Sequence, residues 1–300
     1  MSERPRNLRD GFASIHGYRF YWEIAGEPGP RGTVLTLHGG PGSTHDYLLP
    51  FADLARAGYR VVFFDQLGCG RSELARDVGE YSIDRDVSDV EELRQTLVLG
   101  RVHLVGSSYG GALAIAYALA HPEGLRTLVS ASGLASVPLT VQEMARLKRE
   151  LPAPYPEILA RYEATGEYQH PEYLRAVDAF YRRHLCRLPE WPPELTYSIE
   201  HSNSPKYLTM NGPNEFTITG TIRDWDVTDR LREIAIPTLV TAGRYDEVTP
   251  RVAESIHAGI RGSHLRRFEE SSHVAFWEQR AAYLDALGSF LGAHEGDRPD

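Results

Sequence analysis

The chain has 300 residues and a formal charge of −9, from 32 basic and 41 acidic side chains. Hydrophobic residues at 42% and charged residues at 24% exclude a disordered chain and a membrane bundle. The acidic balance excludes the basic face that nucleic acids need.

Two cysteines, Cys69 and Cys186, are too few for a disulfide framework or a cysteine-built zinc site. No stretch approaches ~18 uninterrupted apolar residues, so no membrane span is expected. The N-terminal MSERPRNLRD lacks the apolar centre of a secretion signal, which points to a cytoplasmic protein.

In chain order, residues 11–16 and 18–25 read as a β-hairpin. Residues 33–37 (TVLTL) form a short apolar strand that ends in glycines, and 46–57 read as a helix. Residues 59–65 (YRVVFFD) are a buried-strand run, again closed by glycines. Residues 83–99 have helical apolar spacing at Val87, Val90, Leu93 and Leu97. A strand at 102–106, a small-residue helix at 109–120 and a strand at 125–132 follow. Short strands alternating with helices imply a parallel sheet covered on both faces, an α/β architecture. The rhythm breaks after residue 136. Residues 136–225 hold 10 of the 19 prolines but only 3 of the 27 glycines, and their apolar residues recur at helical spacing. Alternation resumes with a strand at 237–241, a helix at 250–258, a strand at 265–268 and an amphipathic helix at 275–291. The expected organisation is a core of residues 1–135 and 226–300 interrupted by a helical cap, 136–225.

Gly106-Ser107-Ser108-Tyr109-Gly110 fits G-x-S-x-G with Ser108 at its centre. The pattern gains meaning from its context, a strand before it and a helix after it, which puts a serine on a sharp turn. Serine needs a base and an acid that orients the base, expected in the order Ser, acid, His after late strands. Asp246 follows the strand PTLVT and His273 follows HLRRF, so they are assigned as acid and base. Asp224, Asp226, Glu247 and His264 compete for these roles. His264 stands at the wrong end of its strand, and Glu247 is adjacent to the chosen acid. The loop His38-Gly39-Gly40-Pro41-Gly42 follows the first parallel strand, and the amides of Gly40 and Tyr109 are assigned as the oxyanion hole. His38 is expected to hold the loop. Cys69, in Asp65-Gln66-Leu67-Gly68-Cys69-Gly70-Arg71-Ser72, is expected to be a packed thiol. No phosphate-binding loop is present, and no metal or organic cofactor is required.

HGGPG at 38–42, DQLGCGRS at 65–72, GSSYGG at 106–111, GRYDEVTP at 243–250 and SSHVAFWE at 271–278 resemble the α/β-hydrolase fold, and within it the proline iminopeptidase family of serine aminopeptidases. The stretch 210–216 (MNGPNEF), together with Tyr-Asp-Glu at 245–247, is similar to the tricorn-interacting aminopeptidases of archaea. Amino-acid amide hydrolases share much of the pattern. The resemblance implies that Glu215 and Glu247 hold the free amino terminus of a short peptide or aminoacyl amide. Tyr109 follows the serine where typical bacterial proline iminopeptidases have tryptophan, so exclusive preference for proline is not implied. Release of N-terminal residues, proline and other mainly apolar ones, is the expected activity. Amidase or esterase action on the same scaffold, and a non-catalytic binding protein, are the alternatives.

Overall fold

The computed structural model describes residues 8–295. Eight strands form one sheet in the order β1-β2-β4-β3-β5-β6-β7-β8. They are β1 (Leu8–Ile15), β2 (Tyr18–Ala25), β3 (Thr33–Leu37), β4 (Arg60–Phe64), β5 (Val102–Ser107), β6 (Leu125–Ala131), β7 (Thr238–Gly243) and β8 (His264–Phe268). β1 and β2 pair antiparallel, as do β2 and β4; every other pairing is parallel.

The alternation inside the strands explains the layering. Leu35, Leu37, Val62, Phe64, Leu104, Leu128 and Val240 join one buried cluster. Their chain neighbours Val34, Val61, Phe63, Val105, Val129 and Leu239 join the other. Side chains two residues apart share a face, so nearly continuous apolar strands supply two cores at once. On the first face pack α1 (Ile83–Thr96), α2 (Tyr109–Ala120) and α8 (Pro250–Gly259). On the second pack the 45–57 segment, α9 (Ala275–Glu278) and α10 (Arg280–Gly292). Between β6 and β7 the chain makes five α-helices: α3 (Val137–Arg149), α4 (Tyr155–Thr165), α5 (Pro171–His184), α6 (Pro193–Glu200) and α7 (Ser204–Met210). Among the described residues no helix is long and apolar enough to cross a membrane.

Two expected helices differ in detail. His45–Ala57 is a run of 3₁₀ turns, started by a hydrogen bond from the Asp46 amide to the Thr44 side chain and carrying Pro50 inside it. Proline has no N–H to donate and crowds the carbonyl four residues back, which disfavours the α-helical form. The expected helix at 275–291 is broken at Gln279, whose backbone is non-helical at φ −124° and ψ 49°. The Gln279 side chain accepts instead from Ser271 Oγ at 2.8 Å and from the Glu270 amide at 3.2 Å.

A buried charged network fixes the loop after β4. His45 Nδ1–H donates to Asp65 Oδ1 at 2.7 Å, and its Nε2 lies 3.5 Å from Glu23 Oε2. The other Asp65 oxygen accepts from the Arg71 amide at 2.9 Å, and the Arg71 guanidinium lies 3.1 Å from Glu23. Burial alone would favour neutral His45, but the Asp65 and Glu23 carboxylates outweigh it and push its pKa up to about 10. Glu23 falls to about 2 because its hydrogen bonds and charges from His45, Tyr21 and Arg71 outweigh its burial. The carboxylate contribution is present above the ordinary carboxylate range and is lost as pH falls through the folded value. The His45 contribution is complete below the ordinary imidazole range and is lost as pH rises through its folded value. The network therefore stabilises most around pH 5–6. Urea unfolding midpoints at pH 6 and pH 9 test this: His45→Gln should lower the midpoint more at pH 6 than at pH 9. An equal loss at both would contradict the charged-imidazole account.

Candidate active site

The loops after β3, β5, β7 and β8 meet at the C-terminal edge of the parallel strands, where ligands bind in open α/β sheets. Ser108 sits between β5 and α2 with φ 58° and ψ −126°, a backbone conformation unusual for a residue with a Cβ. Its flanking glycines permit the turn. A Cβ on Gly106 would collide with the Gly110 carbonyl oxygen, and one on Gly110 with that of Leu37. No side chain fits either position.

His273 lies in the loop between β8 and α9, and Asp246 in the loop after β7. His273 Nδ1 is 2.7 Å from Asp246 Oδ1, which also accepts from the Val248 amide at 2.9 Å. That bond places the proton on Nδ1 and leaves Nε2 facing the cavity. Both residues are buried. Glu247, also buried, brings Oε1 to 3.8 Å from His273 Nε2. Its other oxygen, Oε2, is enclosed without a hydrogen-bond partner among the described residues. Glu215 enters from the inserted segment, where its Oε1 accepts from Tyr207 Oη at 2.7 Å. Burial raises the pKa of Glu215, and burial with two neighbouring carboxylates raises that of Glu247. His273 is raised too, because Asp246, Glu247 and Glu215 outweigh its burial.

Gly40, Ser108, Glu215, Glu247 and His273 all line one cavity of about 360 Å³, with Tyr181 and Tyr207 on its wall. A smaller recess of about 30 Å³ opens beside Ser108 between Tyr109, Met144, Ile222 and Trp225. Asp246 stands behind His273. The sequence-based candidates are thus brought together around Ser108. The competing Asp224 is exposed, His264 is exposed at the start of β8, and Asp226 accepts from Ser136 Oγ at 2.6 Å.

The glycine loop is held by its neighbours. The Gly39 amide donates to Tyr47 Oη at 2.7 Å. His38 donates from Nδ1 to the Gly39 carbonyl and accepts on Nε2 from the Gln66 amide, with its pKa lowered to about 4 by burial. It is a neutral bracket. Cys69 is fully buried, and that burial pushes its thiol up to about 12, as fits a packed thiol.

Three supports lie outside the residues assigned from sequence. The His184 carbonyl, at the end of α5, accepts from the amides of both Glu247 at 3.2 Å and His273 at 3.1 Å, and its ring donates to the Tyr245 carbonyl at 2.7 Å. Glu278 accepts from Ser272 Oγ at 2.8 Å, bracing the loop that carries His273. Lys206 of α7 is fully buried, and its ammonium lies 2.9 Å from Asp86 Oδ1 of α1. The second Asp86 oxygen accepts from Tyr109 Oη at 2.7 Å.

The α/β-hydrolase fold family matches residues 32–279, which assigns the chain to that class of protein. Proline iminopeptidase of Saccharolobus solfataricus is 50% identical over 95% of this chain and 93% of its own length. The crystal structure of a proline iminopeptidase from Mycobacterium smegmatis superposes with a TM-score of 0.89 at 32% identity, covering 96% of this chain and 99% of that one. The crystal structure of VinJ superposes with a TM-score of 0.92 at 36% identity, covering 95% and 99%. The chain belongs to the proline iminopeptidase family of α/β hydrolases.

Proposed function

We propose that this protein is a serine aminopeptidase that releases proline and other, mainly apolar, N-terminal residues from short cytoplasmic peptides or aminoacyl amides. The observation that carries this reading is the pair of carboxylates, Glu215 and Glu247, lining the same cavity as Ser108 and His273. A cavity with a nucleophile and two partly desolvated carboxylates suits a substrate whose ammonium lies close to its scissile carbonyl. Charge pairs are stronger there than on a surface. The smaller recess, lined by Met144, Ile222 and Trp225, suits an apolar side chain next to that carbonyl.

In this mechanism Ser108 attacks the first carbonyl while His273 Nε2 accepts its proton, and Asp246 holds the imidazole tautomer. The amides of Gly40 and Tyr109 receive the oxyanion. His273 then protonates the leaving amine, and water hydrolyses the acyl-enzyme by the same route. Residues 136–225 act as a cap over a core of 1–135 and 226–300, limiting access to chain ends.

A panel of prolyl, alanyl and leucyl anilides, each with a free or acetylated amine, tests the reading. Free amines should be cleaved and acetylated ones spared. Glu215→Gln should lower kcat/KM for free amines about 100-fold, the scale of a lost buried charge pair. Wild-type kcat/KM in that variant, or efficient cleavage of acetylated substrates, would sink the assignment.

A further inference from the structure

Glu247 has a second relation in the site besides its place on the cavity wall. The charged and titratable groups facing the His273 ring are Asp246 at Nδ1 and Glu247 near Nε2, both from the loop after β7, and Glu215 from the inserted segment. Ser108 faces the same cavity from the elbow. Three carboxylates and one imidazole share a buried space, and no lysine or arginine is among the described residues that line the cavity. Tyr207 and Tyr181, which border the two glutamates, are held neutral by burial and by those same carboxylates. Within the described residues, Glu247 Oε2 has no partner.

The general base must start with Nε2 unprotonated. A carboxylate 3.8 Å from that nitrogen favours the protonated ring, the state that cannot take the serine proton. Resting on the aminopeptidase reading above, we propose that Glu247 is a trigger for catalysis: unpaired, it keeps the catalytic imidazole loaded with a proton, and the substrate's ammonium, by pairing with it, releases that proton and frees the base. The proton balance is one for one. A cationic substrate enters, one proton leaves the His273–Glu247 pair for solvent, and Nε2 is left with a free lone pair. Selection for a free amino terminus is then exerted on the chemical step as well as on binding. A neutral acyl compound that reaches Ser108 meets a base in the wrong protonation state.

The test uses p-nitrophenyl acetate, which has no amine, beside L-prolyl p-nitroanilide, over a range of pH. In the wild type the acid limb for the acetate should lie well above that for the anilide. In Glu247→Gln it should fall by about one pH unit or more, raising acetate turnover at pH 7 about tenfold while anilide turnover drops. Glu247→Asp, which keeps the charge, should keep the high limb. In Ser108→Ala protein, calorimetry of L-prolinamide binding in buffers of different ionisation enthalpy should show proton release that Glu247→Gln removes. An anchor with no effect on the base predicts an unmoved acetate limb and no proton release; that result, with amine preference intact, overturns the trigger alone. Equal cleavage of free and acetylated amines by the wild type overturns the aminopeptidase reading and the trigger together.

Discussion

Ser108→Ala is expected to lower kcat on the order of 10⁶-fold, the loss seen when a member of a serine–histidine unit is removed. The fold should survive, because alanine deletes one oxygen and keeps the backbone turn framed by Gly106 and Gly110. A kinetic assay against L-prolyl p-nitroanilide, with far-ultraviolet circular dichroism as the folding control, measures both. His273→Ala should lose a similar factor, and the double variant little more than either alone, since nucleophile and base act as a unit. Ser108→Ala protein that turns over at the wild-type rate would remove Ser108 from the mechanism.

The second large effect is on stability. Lys206→Met should cost about 3–5 kcal/mol, the usual penalty for stripping one partner from a buried ion pair. Lys206 has no exposed surface, and its ammonium also reaches the Leu67 carbonyl at 3.3 Å. Burial alone would lower its pKa, yet Asp86 more than offsets this and holds it above its ordinary value. With methionine in place, Asp86 keeps only the Tyr109 hydroxyl and a stranded charge. The exposed pair Arg182–Asp178 is the contrast: each side chain is 57% exposed, and such pairs contribute about 0.3–0.5 kcal/mol. Chemical denaturation should therefore separate Lys206→Met from Arg182→Met by several kcal/mol. Adding Asp86→Asn to Lys206→Met should restore part of the loss. If Lys206→Met unfolds at the wild-type midpoint, the buried pair is not what seats α7 on the core.

The strands and the order of their loops were legible in the sequence for a physical reason. A strand buried on both faces is apolar at most positions, as in TVLTL and RVVFF, and a turn that crowds backbone against backbone must use glycine. Both leave marks within a few residues. The break at Gln279 left none, because apolar spacing continues through it and the cause lies in the loop at Glu270 and Ser271. The 3₁₀ form of the 45–57 segment had one local sign, Pro50, which the helical spacing around it masked. Lys206 and His184 were illegible for a third reason. Their partners are 120 and 61 residues away along the chain. A buried lysine cannot be told from a solvated one by its neighbours in sequence.

The turn at Ser108 also bears on how such a chain evolves. A residue held in a sparsely populated backbone region costs about 1–3 kcal/mol, whereas glycine's extra freedom in the unfolded chain costs about 0.5–1 kcal/mol. Glycine at position 108 would thus make the more stable protein and an inert one. Drift under selection for folding alone runs toward the dead variant, so the serine persists only in lineages where the reaction itself is under selection. Its presence at so unfavourable a place is a record of use.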